Sequence, residues 1–254
     1  MARYQVILAY DGTEFQGFQR QAGRQDRTVQ GAIEQALLRM GWQGRSILAS
    51  GRTDSGVHAS GQVIAFDLEW AHSLEDLRSA LNAYLPPTIA AKQALRVKDN
   101  FHPRYDAISR RYCYHVFCQE VRDPFRERYA WRVWPAADLD RMRTSAASLT
   151  GAHDFAAFGT PPRTGGSTIR KVLEATWEPS QGELVFSITA NGFLYHMVRR
   201  LVYILVGVGQ EKIDPSLIRC NLESPPAEML QGLAPPQGLF LEEVIYPRSV
   251  LVES

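Results

Sequence analysis

The sequence predicts an α+β protein made of two tandem ferredoxin-like halves, and two observations carry that expectation. Strand-like alternation and helix-like apolar spacing follow one another in the order β-α-β-β-α-β, and the same order then recurs. The 254 residues suffice for one large or two ordinary domains. The expected division is 1–100 and 101–254, with the two halves joined into one larger, mainly antiparallel sheet and helices on one side.

In the first half, Arg3 to Tyr10 alternates as a strand, with Tyr4, Val6, Leu8 and Tyr10 on one face. A long Gly/Gln/Arg-rich loop, 11–27, follows. Thr28 caps a helix whose Val29, Ile33, Leu37 and Met40 keep helical spacing. Strands are expected near 45–50 and 62–69. Ser73 caps a second helix carrying Leu74, Leu77, Leu81 and Tyr84, which Pro86 and Pro87 stop before a strand over 88–97. The second half repeats the order: a strand at 108–118, a helix at 139–149 and strands near 168–178 and 183–190. A strongly apolar helix at 194–209 and a last strand at 238–246 complete it. Extra segments fall at 119–137, 159–167 and 210–237. No residue-level repeat links the halves, so the tandem rests on element order.

Composition narrows the class. Apolar residues at 45% and charged residues at 22% match a soluble globular protein. No apolar run has the length of a membrane span, and no signal-peptide pattern opens the chain, so a cytoplasmic protein is expected. Cys113, Cys118 and Cys220 are odd in number and lack metal-ligand spacing, and the histidines form no metal pattern. No dinucleotide fingerprint is present. The net charge of +1 gives no global pull toward nucleic acid. Only four of the 28 basic residues are lysine, leaving 24 arginines, the residue suited to bidentate phosphate contacts. Arg20, Arg24 and Arg27 cluster in one loop; Arg104, Arg110 and Arg111 in a second segment; Arg122, Arg126, Arg128 and Arg132 in a third.

The stretch Gly51-Arg52-Thr53-Asp54-Ser55-Gly56-Val57-His58-Ala59-Ser60 concentrates reactive groups in a connection between two expected strands. The plain reading is a turn whose Asp, Ser and Thr bond backbone amides. The two glycines have the interval of a phosphate-binding loop, but Val57-His58 stands where Lys-Ser/Thr is required. A glycosidase would need two facing carboxylates, and the motif offers only Asp54. Elsewhere, Arg110 to Cys118 reads as a strand, with Tyr112 and Tyr114 on one face and Cys113 and His115 on the other. Arg199 and Arg200 interrupt the apolar helix, where one is expected to reach solvent. The other then needs a carboxylate or several acceptors. The expectation is that Arg199 pairs with Asp54 and keeps that carboxylate ionised. The Gly/Pro-rich stretch 159–167, which includes Arg163, reads as a lid or as an ordinary surface loop.

These residues also carry a resemblance. Gly51 to Ala59 resembles the active-site motif of the bacterial tRNA pseudouridine synthase A family. Tyr10 to Gln19 resembles that family's opening segment, with Phe18 where tryptophan is common. Phe101-His102-Pro103-Arg104 with Arg111 to Tyr114, Gly192 to Arg199, and Gly238 to Leu241 resemble its later motifs. The resemblance implies isomerisation of uridine to pseudouridine at positions 38, 39 and 40 of the tRNA anticodon stem-loop. It also implies no cofactor and a homodimer. It makes Asp54 the nucleophile, Arg52 the arginine beside it, Tyr112 the residue that stacks on the base, and Arg199 the partner of the aspartate. Arg20, Arg24, His58, Arg110, Arg111 and Arg163 are the further expected substrate contacts. A stem uridine must leave the stack to be reached, at a cost of a few kcal/mol; attack at sugar C1′ or uracil C6 both remain open. A non-catalytic RNA-binding protein would not need Asp54. A small-molecule hydrolase or lyase would show no salt-sensitive RNA affinity.

Overall fold

A computed structural model describes residues 1–21, 27–225 and 228–251. The elements are β1 (Ala2–Tyr10), α1 (Val29–Arg39), β2 (Leu48–Ala49), β3 (His58–Leu68), α2 (Leu74–Tyr84), β4 (Ile89–Arg96) and β5 (Ser109–Cys118). They continue as β6 (Trp131–Val133), α3 (Leu139–Ala147), β7 (Gly151–Asp154), β8 (Ile169–Ser180) and β9 (Glu183–Ala190). The last are α4 (Met197–Gly209), α5 (Ser216–Glu223) and β10 (Leu239–Ile245). The α+β class and the twofold β-α-β-β-α-β order hold. The short β6 and β7 and the helix α5 lie in or beside the segments read as extra. By internal contacts the chain forms two compact units, residues 1–108 with 240–254, and residues 109–239.

In the first unit β1 lies between β4 and β3, antiparallel to both. Two strands share the far edge of β3. Leu48 and Ala49 of β2 pair with Ala65 and Ile64, whereas Phe240 and Leu241 of β10 pair in parallel with His58 and Ala59. This explains why β3 begins at His58, four residues before the expected start: its early part is held by a segment 180 residues away in sequence. Gly61 marks the crossing, since a Cβ there would overlap the carbonyl of Glu242. The helices α1 and α2 pack on one another over this sheet. Thr28 caps α1 by accepting from the Gly31 N–H at 3.2 Å, and Ser73 with Asp76 forms a reciprocal capping box on α2. Arg3 grips Asp67 with two parallel bonds of 2.7 and 2.8 Å across the β1–β3 pair.

In the second unit β9 lies between β5 and β8, and β7 pairs with β8, all antiparallel, while β6 adds to β5 in parallel. Helix α4 is buried on nearly all sides, including Met197, Leu201, Ile204, Leu205 and Val208, and packs against α3. Gly207 and Gly209 allow Ile213 and Met142 to approach its backbone closely.

The Arg3–Asp67 pair generates a pH prediction. The hydrogen bond from Arg3 holds the Asp67 carboxyl below its usual range, with the arginine charge adding to it. A depressed carboxylate pKa contributes stability above the unfolded value of about 3.9, which is lost as pH falls through the lower folded value. With Asp67 partly solvated, Asp67→Asn is expected to cost about 0.5–1 kcal/mol, or roughly 2 °C in Tm, at pH 7. Thermal unfolding of both proteins from pH 7 down to pH 2.5 should show that difference closing below the carboxylate range.

Candidate active site

The loop from Ser50 to Val57 is built by the strands around it and by the segment 10–18, which lies against it. Thr53 is buried and bonded on two sides: its Oγ1 lies 2.8 Å from the Tyr10 hydroxyl, and its carbonyl accepts from the Phe18 N–H at 3.0 Å. Ser55 donates to the Phe15 carbonyl at 3.1 Å, and Val57 N–H closes a turn onto the Asp54 carbonyl at 3.2 Å. Gly56 supplies the positive φ of 77° this turn needs. Arg52 is exposed and Asp54 half-buried on either side of the buried Thr53. The alternation turns the two charged residues outward and the threonine inward.

Two glycines make the close approach possible. Gly12 lies against Val57, where a Cβ would overlap the carbonyl; Gly17 (φ +85°) would place one 2.9 Å from the Thr53 carbonyl. The family-like opening segment is thus the support of the loop, a role its sequence did not reveal. Gln62 is the other support. This fully buried amide donates to the Gly51 carbonyl at 3.2 Å and accepts from the Ser50 hydroxyl at 2.6 Å.

His58 was expected to contact substrate. It is 1% exposed, its ring stacks on Phe240 at 4.7 Å, and its Nδ1 accepts from the Gly12 N–H at 3.0 Å. Asp11 Oδ1 is 3.2 Å from the same nitrogen but already accepts from the Thr13 N–H and hydroxyl. His58 ties loop 11–12 and β10 to the start of β3, inside the unit. Arg20 donates to the buried Glu34 at 2.9 Å, so its charge is engaged within the protein. Arg24 lies outside the described residues.

The remaining expected residues belong to the second unit. Tyr112 on β5 is half-buried with its ring edge-on to Phe193 at 5.0 Å. Beside it, Arg110 donates to the Asn191 carbonyl at 3.2 Å and Arg111 to Thr189 Oγ1 at 3.3 Å. Arg199, in the first turn of α4, donates through Nε to the Ala234 carbonyl at 2.8 Å, and Ala234 N–H returns a bond to the Arg199 carbonyl. The next carbonyl, of Pro235, accepts from the Tyr114 hydroxyl at 2.7 Å. Burial raises the Tyr114 pKa far above the usual phenol range, although the nearby Arg199 charge opposes it, so this hydroxyl stays a donor. Of the two adjacent arginines it is Arg200 that is buried, and its hydrogen bond goes to the Phe158 carbonyl at 2.8 Å. Its acceptor is a backbone oxygen, and burial pulls the guanidinium pKa down. Arg163 is exposed at the tip of the 159–167 loop. The root of that loop is pinned, because Thr160 and Tyr195 exchange backbone bonds of 2.9 and 3.3 Å. Among the described residues no cluster of three or more His, Cys, Asp or Glu could hold a metal ion. No described helix is long and apolar enough to cross a membrane.

A family model described as tRNA pseudouridine synthase matches residues 6–106 and 145–247. The chain belongs to the tRNA pseudouridine synthase family. Curated relatives named tRNA pseudouridine synthase A extend the match over nearly the whole chain. The one from Lactiplantibacillus plantarum is 37% identical over 98% of this chain and 96% of its own. That from Bacillus subtilis is 38% identical over 96% and 99%, and that from Shouchella clausii 39% over 99% and 96%. The family model includes Arg52, Asp54, Arg163 and Arg199, whereas Arg110, Arg111 and Tyr112 fall between its two matched spans.

A pair of glycine variants tests the support of the loop. Gly17 and Gly41 have nearly equal φ, +85° and +87°, but only Gly17 has loop backbone against it. Alanine at either position should cost about 1–2 kcal/mol of backbone strain. Gly17→Ala should cost roughly 1–3 kcal/mol more through overlap, and should lower kcat at least about tenfold. Gly41→Ala should leave kcat within about twofold of wild type. Thermal melts and steady-state kinetics on tRNA read both.

Proposed function

We propose that this isomerase converts uridine to pseudouridine at positions 38, 39 and 40 in the anticodon stem-loop of tRNA, with Asp54 as nucleophile. The observation that carries the reading is Asp54 itself. It is a half-buried carboxylate beside an exposed arginine, on a loop whose backbone is tied down on both sides, within a span matched by the family model. A nucleophile gains from such preorganisation because the loop does not have to be ordered during the reaction.

In this mechanism Arg52 takes the place of the uridine that leaves the stack and holds the flanking phosphate. The Asp54 carboxylate attacks C1′ or uracil C6, the N1–C1′ bond breaks, and the uracil turns. A C5–C1′ bond then forms, the bond to Asp54 breaks and returns the carboxylate, and C5 loses its proton while N1 takes one up, so the product is an isomer of the substrate. Tyr112 stacks on the base, and Arg199 keeps the role of carboxylate partner that the family resemblance implies. Arg110, Arg111 and Arg163 contact the RNA backbone, and the 159–167 loop keeps water out, since hydrolysis would leave an abasic site. Arg20 contributes only as far as Glu34 leaves it free to, and His58, being buried, acts through the loop. A homodimer in the cytoplasm completes the reading.

Carbodiimide mapping of pseudouridine in tRNA transcripts tests the site. Incubation with the enzyme should produce stops at positions 38, 39 and 40 wherever uridine is present there, and none after replacement by cytidine. Modification confined to another region of the tRNA would contradict the anticodon assignment. Affinity for tRNA should fall steeply between about 50 and 200 mM salt, as counterion release requires; a flat response would favour a small-molecule enzyme.

A further inference from the structure

Thr53 separates the two residues to which chemistry is assigned, and it is 7% exposed where Arg52 is exposed and Asp54 half-buried. It is tied to the 10–18 segment at both its hydroxyl and its carbonyl. The hydroxyl's partner, Tyr10, is 4% exposed and sits on the last residue of β1. Tyr10 is in turn approached at 3.5 Å by Gln62 Nε2, which also donates to the Gly51 carbonyl at 3.2 Å. The orientation of that amide is fixed by its other end, where Oε1 accepts from the Ser50 hydroxyl at 2.6 Å and from the Val63 N–H at 3.1 Å. Residues 50, 51 and 53 are therefore all tied to Gln62 or Tyr10, and Asp54 is the next residue along the chain.

We propose that Tyr10, through the bond between its hydroxyl and Thr53, is a positioning residue: it sets where Asp54 stands and has no part in binding tRNA. The inference rests on Asp54 being the nucleophile. Attack by a carboxylate needs the reacting atoms within a narrow range of distance and direction, and a displacement of about 1 Å can lower the rate roughly 100-fold. Tyr10 is buried, whereas Arg52 is exposed and Asp54 half-buried. The Tyr10 ring packs beside Phe18 at 6.3 Å, so Tyr10→Phe keeps the packing and removes one oxygen. Thr53→Val replaces a hydroxyl with a methyl of like shape, and Thr53→Ser restores the hydroxyl.

Steady-state kinetics on a tRNA substrate decide the matter, using Tyr10→Phe, Thr53→Val, their double variant, Thr53→Ser and Asp54→Asn. Each of the first two should lose about 10- to 100-fold in kcat. KM should stay within about twofold, since a positioning residue acts after binding. The double variant should be no worse than the poorer single, as for two ends of one bond. Thr53→Ser should recover most of the lost kcat. If Thr53→Val fails to fold, Tyr10→Phe and Thr53→Ser carry the comparison. A lower Tm with unchanged kcat in Tyr10→Phe, a loss confined to KM, or losses that multiply in the double variant would overturn the inference. If Asp54→Asn is then inactive, the nucleophile assignment survives that failure. Full activity in Asp54→Asn would remove the nucleophile and this inference together.

Discussion

Leaving a buried polar group without a partner costs on the order of 1–3 kcal/mol, and that constraint shapes the first unit around residues 50–58. The loop cannot pack as an apolar turn would, because it brings the hydroxyls of Ser50 and Thr53 and several backbone carbonyls below the surface. Each is answered by a partner: Gln62 for Ser50 and Gly51, and Tyr10 and Phe18 for Thr53. The outcome is a loop whose interior is a hydrogen-bonded framework and whose surface shows Arg52 and Asp54. Its conformation is over-determined, so the backbone on either side of Asp54 is held in one place.

The same constraint explains the use of glycine and histidine nearby. Gly12 and Gly17 let the opening segment approach loop backbone to contact distance, where any side chain would hold the two apart. His58 then uses Nδ1 to answer the Gly12 N–H and its ring face to pack on Phe240. Three stretches distant in sequence, at 10–18, 50–62 and 240–242, thereby form one assembly. In the second unit the segment 234–235 serves a comparable purpose, since its successive carbonyls receive Arg199 and Tyr114. A guanidinium anchored through Nε cannot wander as a surface arginine would.

Much of this was legible in the residues, and the rest was not for physical reasons. Helices α1 and α2 announced themselves through Thr28 and Ser73 and through apolar spacing, because helix signals are local. The start of β3 was misplaced because His58 to Gly61 has no apolar alternation, and its pairing partner lies in β10. The strands β6 and β7 are only three and four residues long, too short for any period to register. At the site, Asp54 and Arg52 stood out as charged residues between glycines. Tyr10, Thr53 and Gln62 did not, since a buried tyrosine or glutamine is recognised by its partner and the partners are remote in sequence. The adjacent arginines show the limit most clearly: one buried guanidinium was foreseeable, but that it is Arg200, bonded to the Phe158 carbonyl, depends on which side of α4 faces the core.

The central claim is that Asp54 performs the chemistry, and the most direct test follows the proton that must leave C5. Tritium release from tRNA labelled at uridine C5 should be rapid with wild type and absent with Asp54→Asn, while both bind tRNA alike. Release by the asparagine variant at the wild-type rate would contradict the claim and move the nucleophile elsewhere in the protein.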